Sequence, residues 1–448
     1  MESSDTELTI LIFTWNHQGL RISGPKGLES FLSYELHEPD FFVPIHHFIQ
    51  SQKPDLVVFG SQEDPMPGSY FHSHYLPETL ASQNYLLLKK TKLMGVGIET
   101  YKALKGLDLK LRGLRLSIYV KDNLFGSIKL EERNLVIKQS YANCSYPILQ
   151  SKGAVALYVR IPQIGSIGFV CCHLPFDAGN LKRAYLEKSY RIRDESLDYS
   201  NSCLNYILNQ LVFQQELEHI FFFGDLNYRV FVPEADETLF EKDYLHHLNY
   251  VYRKYDELYQ CLKSQKIKLS FKEGVEGKGP MFIPTCKMRK PRDLERQTII
   301  KEEDKEDNIK EDNIKENNIK ENKLQNEERF DVDVEECNVD EEEEFSLLFL
   351  DHTLKFRDSN NIRDYFNIGI GQRQPSWCDR ILYYTLLNSK NNNNCDNNNS
   401  CNDNNNKIED VINYKIECEI YDRFDFGRTM EKSDHCAVIG KYKISHRK

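Results

Sequence analysis

The chain has 448 residues, 40% of them hydrophobic, and a formal net charge of -11. The charge is uneven: Lys301–Glu344 holds 20 acidic and 7 basic residues, a net of -13, so the rest is -11 - (-13) = +2. A near-neutral body can hold a basic pocket for an anion, and its net of about +2 argues mildly against a nucleic-acid-binding surface, which calls for excess positive charge.

Twelve cysteines without a CxxC pair give neither a disulfide framework nor a zinc signature. The start MESSDTELTI lacks the basic and apolar regions of a signal peptide, and no apolar run reaches the roughly 20 residues needed to span a bilayer. KISHRK at the other end carries no prenylation box. The expectation is a reduced, cytoplasmic protein whose membrane contact is peripheral and transient.

In chain order, Leu8–Trp15 reads as a strand, Phe42–Gln50 as a helix, and Leu56–Gly60 as a short buried strand. Leu114–Val120, Gly153–Ile161 and Ser166–Cys172 read as further strands, the last two joined as a hairpin through a Pro- and Gly-containing turn. Leu181–Glu218 has helical character, His219–Phe223 is a buried strand, and Leu245–Lys263 reads as one helix. Ile381–Tyr384, Tyr414–Ile420 and Ala437–Ile444 close the chain as strands. Many strands without clean βαβ alternation predict an α/β sandwich of two packed mixed β-sheets flanked by helices. Two segments do not fit a core. Residues 300–345 carry the five-residue repeat EDNIK EDNIK ENNIK and an acidic run, and residues 388–407 are asparagine-rich. Both are read as disordered insertions into one catalytic domain spanning 1–448, because chemistry-bearing residues flank each of them, and long loops are thermodynamically tolerable.

Six short patches share a pattern in which an apolar run gives way at once to polar residues. They are Thr14–Asn16, Gln62-Glu63, Cys172–Leu174, Gly224–Asn227, Trp377–Arg380 and Ser433–His435. Strand ends and the loops after them are where a sandwich builds a site. Their side chains suit a hard cation and a phosphate. Glu63 with the amide oxygen of Asn16 offers oxygen ligands to magnesium. Asp225, beside Asn227, is the candidate general base for an attacking water. His173 and His435 are candidates to stabilise the phosphoryl oxygens, with Asp379 and Asp434 available to orient and charge them. Each patch alone also has an ordinary structural reading as a turn, a satisfied histidine or a solvated loop. All six occur together in this one chain.

Their order resembles the inositol polyphosphate 5-phosphatase family, a branch of the endonuclease/exonuclease/phosphatase fold. The motifs that carry the resemblance best are GDLNYR (Gly224–Arg229) and RQPSWCDRIL (Arg373–Leu382). TWN, SQE, KGAVAL, CHL, PTCK and SDH fall in the family's order around them. The resemblance implies magnesium at Asn16 and Glu63, water activation by Asp225 with Asn227, and the scissile 5-phosphate held by His173 and His435 with Asp379 and Asp434 behind. It implies that Lys287 and Arg373 grip the ring 4-phosphate and that Lys152 lies near the 1-phosphate. Cys286 and Gly371 stand where the family favours Tyr and Lys, which weakens the 4-phosphate grip. The implied substrate is a phosphoinositide or a soluble inositol phosphate, with no nucleic acid. A nuclease of the same fold and a non-catalytic phosphoinositide-binding scaffold are the alternatives.

Overall fold

The structure, a computed structural model, describes residues 7–18, 39–66, 71–96, 111–130, 136–138, 152–176, 178–187, 189–232, 244–286, 374–385, 414–424 and 433–446. Both predicted insertions, and Lys287 and Arg373, lie outside these residues. The described residues fall in one compact unit, formed by Met1–Met288 together with Asn361–Lys448.

Two mixed sheets make up the fold. The first contains β1 (Glu7–Asn16), β2 (Leu56–Met66), β3 (Tyr85–Val96), β4 (Leu111–Lys121), β12 (Tyr414–Phe424) and β13 (Ala437–His446), in the order β12-β13-β1-β2-β4-β3. The second is built from β5 (Lys129–Leu130), β6 (Val136–Lys138), β7 (Gly153–Ile161), β8 (Gly165–His173), β9 (His219–Asp225), β10 (Lys272–Glu273) and β11 (Asp379–Thr385). Its order is β10-β11-β9-β8-β7-β5, with β6 also on β7. Each sheet has one parallel pair, β1 with β2 and β8 with β9, among antiparallel neighbours. The predicted sandwich and its β7–β8 hairpin are therefore present.

Apolar runs that leave no polar face explain why both sides of the central strands are covered. Between the sheets, Phe221 of β9 meets Tyr442 of β13 at 5.0 Å between ring centroids. The approach is closest at Gly60, where a Cβ would lie 2.5 Å from the Phe223 ring and 2.8 Å from Cys171 Sγ. Outside the second sheet, a helix over Tyr190–Leu211 lays Leu197, Leu204, Ile207, Leu208 and Leu211 toward Val170, Cys172 and Phe222. Outside the first, Phe13 packs on Phe48 of the helix Pro39–Gln52. Among the described residues no helix is long and apolar enough to cross a membrane.

Two predicted helices are each divided. The first becomes Ala178–Glu187 and Tyr190–Leu211, restarted by Ser189, whose extended backbone and hydroxyl cap the Ile192 amide. The second divides into Tyr244–Tyr255 and Glu257–Lys263 at Asp256. Asp256 is extended, caps the Tyr259 amide at 2.9 Å and binds Arg380 from across the fold. A long-range charge partner thus overrides a helical period that continues across the break.

Candidate active site

Register brings the patches together. In the second sheet, Gly153, His173, Asp225 and Asp379 are successive partners across β7, β8, β9 and β11. Lys152 immediately precedes that row. In the first sheet, β1 and β2 run parallel, and their pairing ends at Asn16 and Gln62. The two rows meet where Asn16 Nδ2 donates to Asp225 Oδ2 at 2.8 Å, a contact between residues 209 apart in the chain.

Asp225 is the focus. His173 Nε2 lies 3.1 Å and His435 Nε2 4.0 Å from its Oδ2, while the Asn227 amide donates to Oδ1 at 3.0 Å. His435 Nδ1 is 2.8 Å from Asp379 Oδ2, which also accepts from Thr285 Oγ1 at 2.9 Å. Asp225, Asp379 and His435 are buried, and one ligand-capable atom from each lies within 4.8 Å of the others. Ser433 ties the His435 loop to β1 by donating to the Asn16 carbonyl at 2.8 Å.

The backbone is unusual at three positions here. Gly224 has φ 135°, and a Cβ there would meet the Cys172 carbonyl oxygen at 1.9 Å. Asn227 at φ 56° takes the left-handed region that asparagine tolerates. Glu63 has φ 50°, and the β2–β4 register shifts between Ser61 and Asp64. This bulge turns Glu63 toward Lys152, whose Nζ is 3.7 Å from Oε1. Arg112 Nη1 holds the other carboxylate oxygen at 2.5 Å.

Electrostatics follow from this crowding. Burial raises the Asp225 carboxyl, but His173, His435 and Lys152 outweigh it, and the net shift is strongly downward. Burial would lower His435, but Cys286, Asp379 and Asp225 raise it well above its ordinary value. Burial pushes Asp379 up to about 7 against the pull of His435. His173 is lowered by burial and by the adjacent Lys152 ammonium. Burial also raises Glu63, but Lys152, His173 and Arg112 bring it below its usual range.

The sequence-predicted residues Asn16, Glu63, Lys152, His173, Asp225, Asn227, Asp379, Asp434 and His435 therefore gather at one end of the sandwich. Three details differ from expectation. His173 takes its carboxylate from Asp225, not from Asp379 or Asp434. Asp434 Oδ1 is 3.8 Å from His435 Nε2, beyond hydrogen-bond reach, and the His435 Nδ1 hydrogen bond goes to Asp379. Asn16 turns its amide nitrogen to Asp225, and its oxygen accepts from the Gln18 amide at 2.9 Å. Lys152 rests on His173 and Glu63 inside the site.

Arg112, Arg229 and Thr285 were not expected. Arg229 donates to Asn227 Oδ1 at 2.5 Å and to Cys286 Sγ at 3.3 Å, and its guanidinium lies 5.1 Å from the Phe176 ring centroid. Arg229 and Thr285 stand inside the GDLNYR and PTCK motifs, which is the signal that points to them. Arg112 lies in a run, LKLRGLR, with no such signal.

A buried carboxylate–imidazole constellation lies where the two sheets end, an arrangement suited to chemistry on a phosphate ester. The family model for endonuclease/exonuclease/phosphatase family 2 matches residues 13–302, and the chain belongs to that family. Comparison with curated protein sequences gives no match. Among solved structures, the inositol polyphosphate 5-phosphatase domain of SpSynaptojanin, in complex with inositol (1,4)-bisphosphate and calcium, is similar at 15% identity and a TM-score of 0.48. That match covers 98% of this chain and 85% of the other. The human Nocturnin catalytic domain with bound sulfate is similar at 14% identity and 0.35, over 62% of this chain and 82% of the other. Truncated Caenorhabditis elegans TDP2 is similar at 11% identity and 0.36, over 97% of both chains.

Proposed function

We propose that this chain is a magnesium-dependent phosphomonoesterase that removes the 5-phosphate of phosphoinositides or soluble inositol polyphosphates. The observation that carries the reading is the convergence of Asn16, His173 and His435 on Asp225, within a chain whose GDLNYR and PSWCDRIL motifs resemble the 5-phosphatases. Asp225 orients the attacking water and takes its proton, with Asn227 fixing the carboxylate from below. A phosphate dianion brought to this site raises the depressed Asp225 carboxyl and makes it a better base. His435, charged and held by Asp379, meets negative charge developing on the phosphoryl oxygens, and Lys152 adds a second cation beside His173.

The residues present fit a hard cation. Glu63 is already flanked by two positive groups, Arg112 and Lys152, where a divalent ion would serve the same charge. Asp379 Oδ1 is buried and has no hydrogen-bond partner among the described residues. Glu63, which directly follows Gln62, the ladder partner of Asn16, would hold magnesium together with the Asn16 amide oxygen, and the ion would supply Lewis acidity toward the phosphate and its leaving oxygen. Cys286, replacing the family's Tyr, is buried against Arg229 and 3.5 Å from His435, so it shapes the wall of the site. The reading carries with it peripheral, transient contact with membranes in the cytoplasm.

Nucleic acid stays in the test as a competing substrate, because the family takes its name from nucleases as well as phosphatases. The test is phosphate release from soluble inositol phosphates, phosphoinositide vesicles and DNA, with magnesium and with chelator. Magnesium-dependent release confined to 5-phosphorylated rings is expected. Cleavage of DNA without turnover of any inositol phosphate would overturn the reading.

A further inference from the structure

A second set of donors lies on the other side of the first sheet. Side chains alternate along β1, so while Asn16 turns inward to Asp225, Trp15 and His17 share the opposite face, with ring centroids 4.2 Å apart. The bulge at Glu63 returns Asp64 to that same face. His72 comes from a π-helical turn, Phe71–Tyr75, a form that recurs at functional sites. His17, Asp64 and His72 are 1%, 0% and 3% exposed. One ligand-capable atom from each lies within 4.8 Å of the other two.

We propose that His17, Asp64 and His72 bind a zinc-class ion at a structural site separate from the catalytic one. Two imidazoles and one carboxylate form a donor set that suits zinc and is poor for magnesium, which takes oxygen ligands. Tetrahedral zinc with bonds of about 2.0–2.1 Å needs donors ~3.4 Å apart. His17 Nδ1 and Asp64 Oδ1 are 3.8 Å apart, a few tenths of an ångström from that spacing.

The surroundings prepare these groups as ligands. Ser61 Oγ is 2.6 Å from His72 Nε2 and fixes the ring's orientation. Arg115 Nε binds Asp64 Oδ2, which leaves Oδ1 toward His17. The Arg115 charge opposes a dication, and the Asp64 carboxylate between them offsets it. Such an ion would clamp the end of β1, the β2 bulge and the π turn. His17 and Asp64 each directly follow a catalytic-site residue, Asn16 and Glu63, so the clamp also fixes the backbone from which those two project.

The test uses the full chain, stripped with chelator, given Zn²⁺ and desalted. Metal analysis should return about one zinc per wild-type chain, and zinc should raise the melting temperature. Co²⁺ in place of zinc should give visible absorption. His17→Ala and His72→Ala should each lose the zinc, the thermal shift and the cobalt spectrum, while Asp225→Asn keeps all three. A wild-type chain that retains no zinc overturns the proposal without recourse to any variant. So does zinc loss in Asp225→Asn with retention in His72→Ala, because the ion would then belong to the catalytic end.

Discussion

The cluster around Arg380 and the cluster around Asp225 sit at neighbouring positions of β9 and β11, and both are buried, yet they are built on opposite plans. Arg380 meets Asp256 at 2.9 and 3.2 Å and Glu273 at 2.5 and 2.6 Å, so each carboxylate takes two guanidinium bonds. Tyr421 and Tyr252 hydroxyls donate to Glu273, and the Tyr252 ring lies under the guanidinium. Around Asp225 the groups compete. Asp379 stands opposite it in the ladder, two imidazoles share its vicinity, and one Asp379 oxygen lacks a hydrogen-bond partner among the described residues. Paired charge of the first kind holds a fold in register. Crowded charge of the second kind stores unsatisfied interactions that a substrate and an ion can complete. Although Arg380 belongs to the PSWCDRIL motif, its charge is fully spent inside the protein.

The largest expected effect falls on the crowded cluster. Asp225→Asn keeps the shape and the Asn227 backbone contact but removes the base. Turnover per folded molecule should fall by about 10²–10⁴-fold. Near-normal phosphate release by this variant would mean that the water is activated elsewhere, and the contrast between the clusters would lose its functional half.

The paired cluster should respond in the converse way. Arg380→Met leaves Asp256 and Glu273 buried without their cation, and burial already raises the Asp256 carboxyl. Breaking such a pair costs about 3–5 kcal/mol. The denaturation midpoint should drop accordingly, while turnover per folded molecule changes far less than in Asp225→Asn. A variant as stable as the parent would show that Arg380 and its partners are not a load on the fold.

The two clusters also differ in how well they could be read in the sequence. The Asp225 cluster was visible because apolar runs such as HIFFF end abruptly in polar residues, and strand ends are local features. The partners inside it were harder to assign. Whether Asp379 or Asp434 orients His435 depends on loop geometry, and the direction of the Asn16 amide depends on a residue 209 positions away. The Arg380 cluster was invisible for the same reason: Asp256 interrupts a helical period only because Arg380 reaches it from 124 residues further on. β3 was missed for a different cause. It is an edge strand of sequence YLLLKKTKLMGV, with Leu86 and Leu87 both exposed, so it shows no alternation.

His219 sharpens the comparison from a third side, because here charge is kept out. It opens β9 fully buried, with Nε2 3.2 Å from the Ile164 carbonyl and Nδ1 3.3 Å from Thr385 Oγ1. Burial lowers it from 6.5 to about 4, against a smaller upward pull from the Ile164 carbonyl. Below pH 6.5 the unfolded chain takes up a proton that the folded chain refuses until about pH 4. The stability that His219 contributes is therefore complete above the unfolded value and lost as pH falls through that window. Its full size is on the order of 3 kcal/mol. His219→Gln can keep a side-chain bond to the Ile164 carbonyl but cannot titrate. Unfolding free energies measured from pH 7 to pH 4 should fall less steeply for the variant than for the parent. His17 and His72 titrate in both proteins, so they drop out of the difference. Parallel curves would mean that water already reaches His219, and that this end of β9 accepts charge as the other end does.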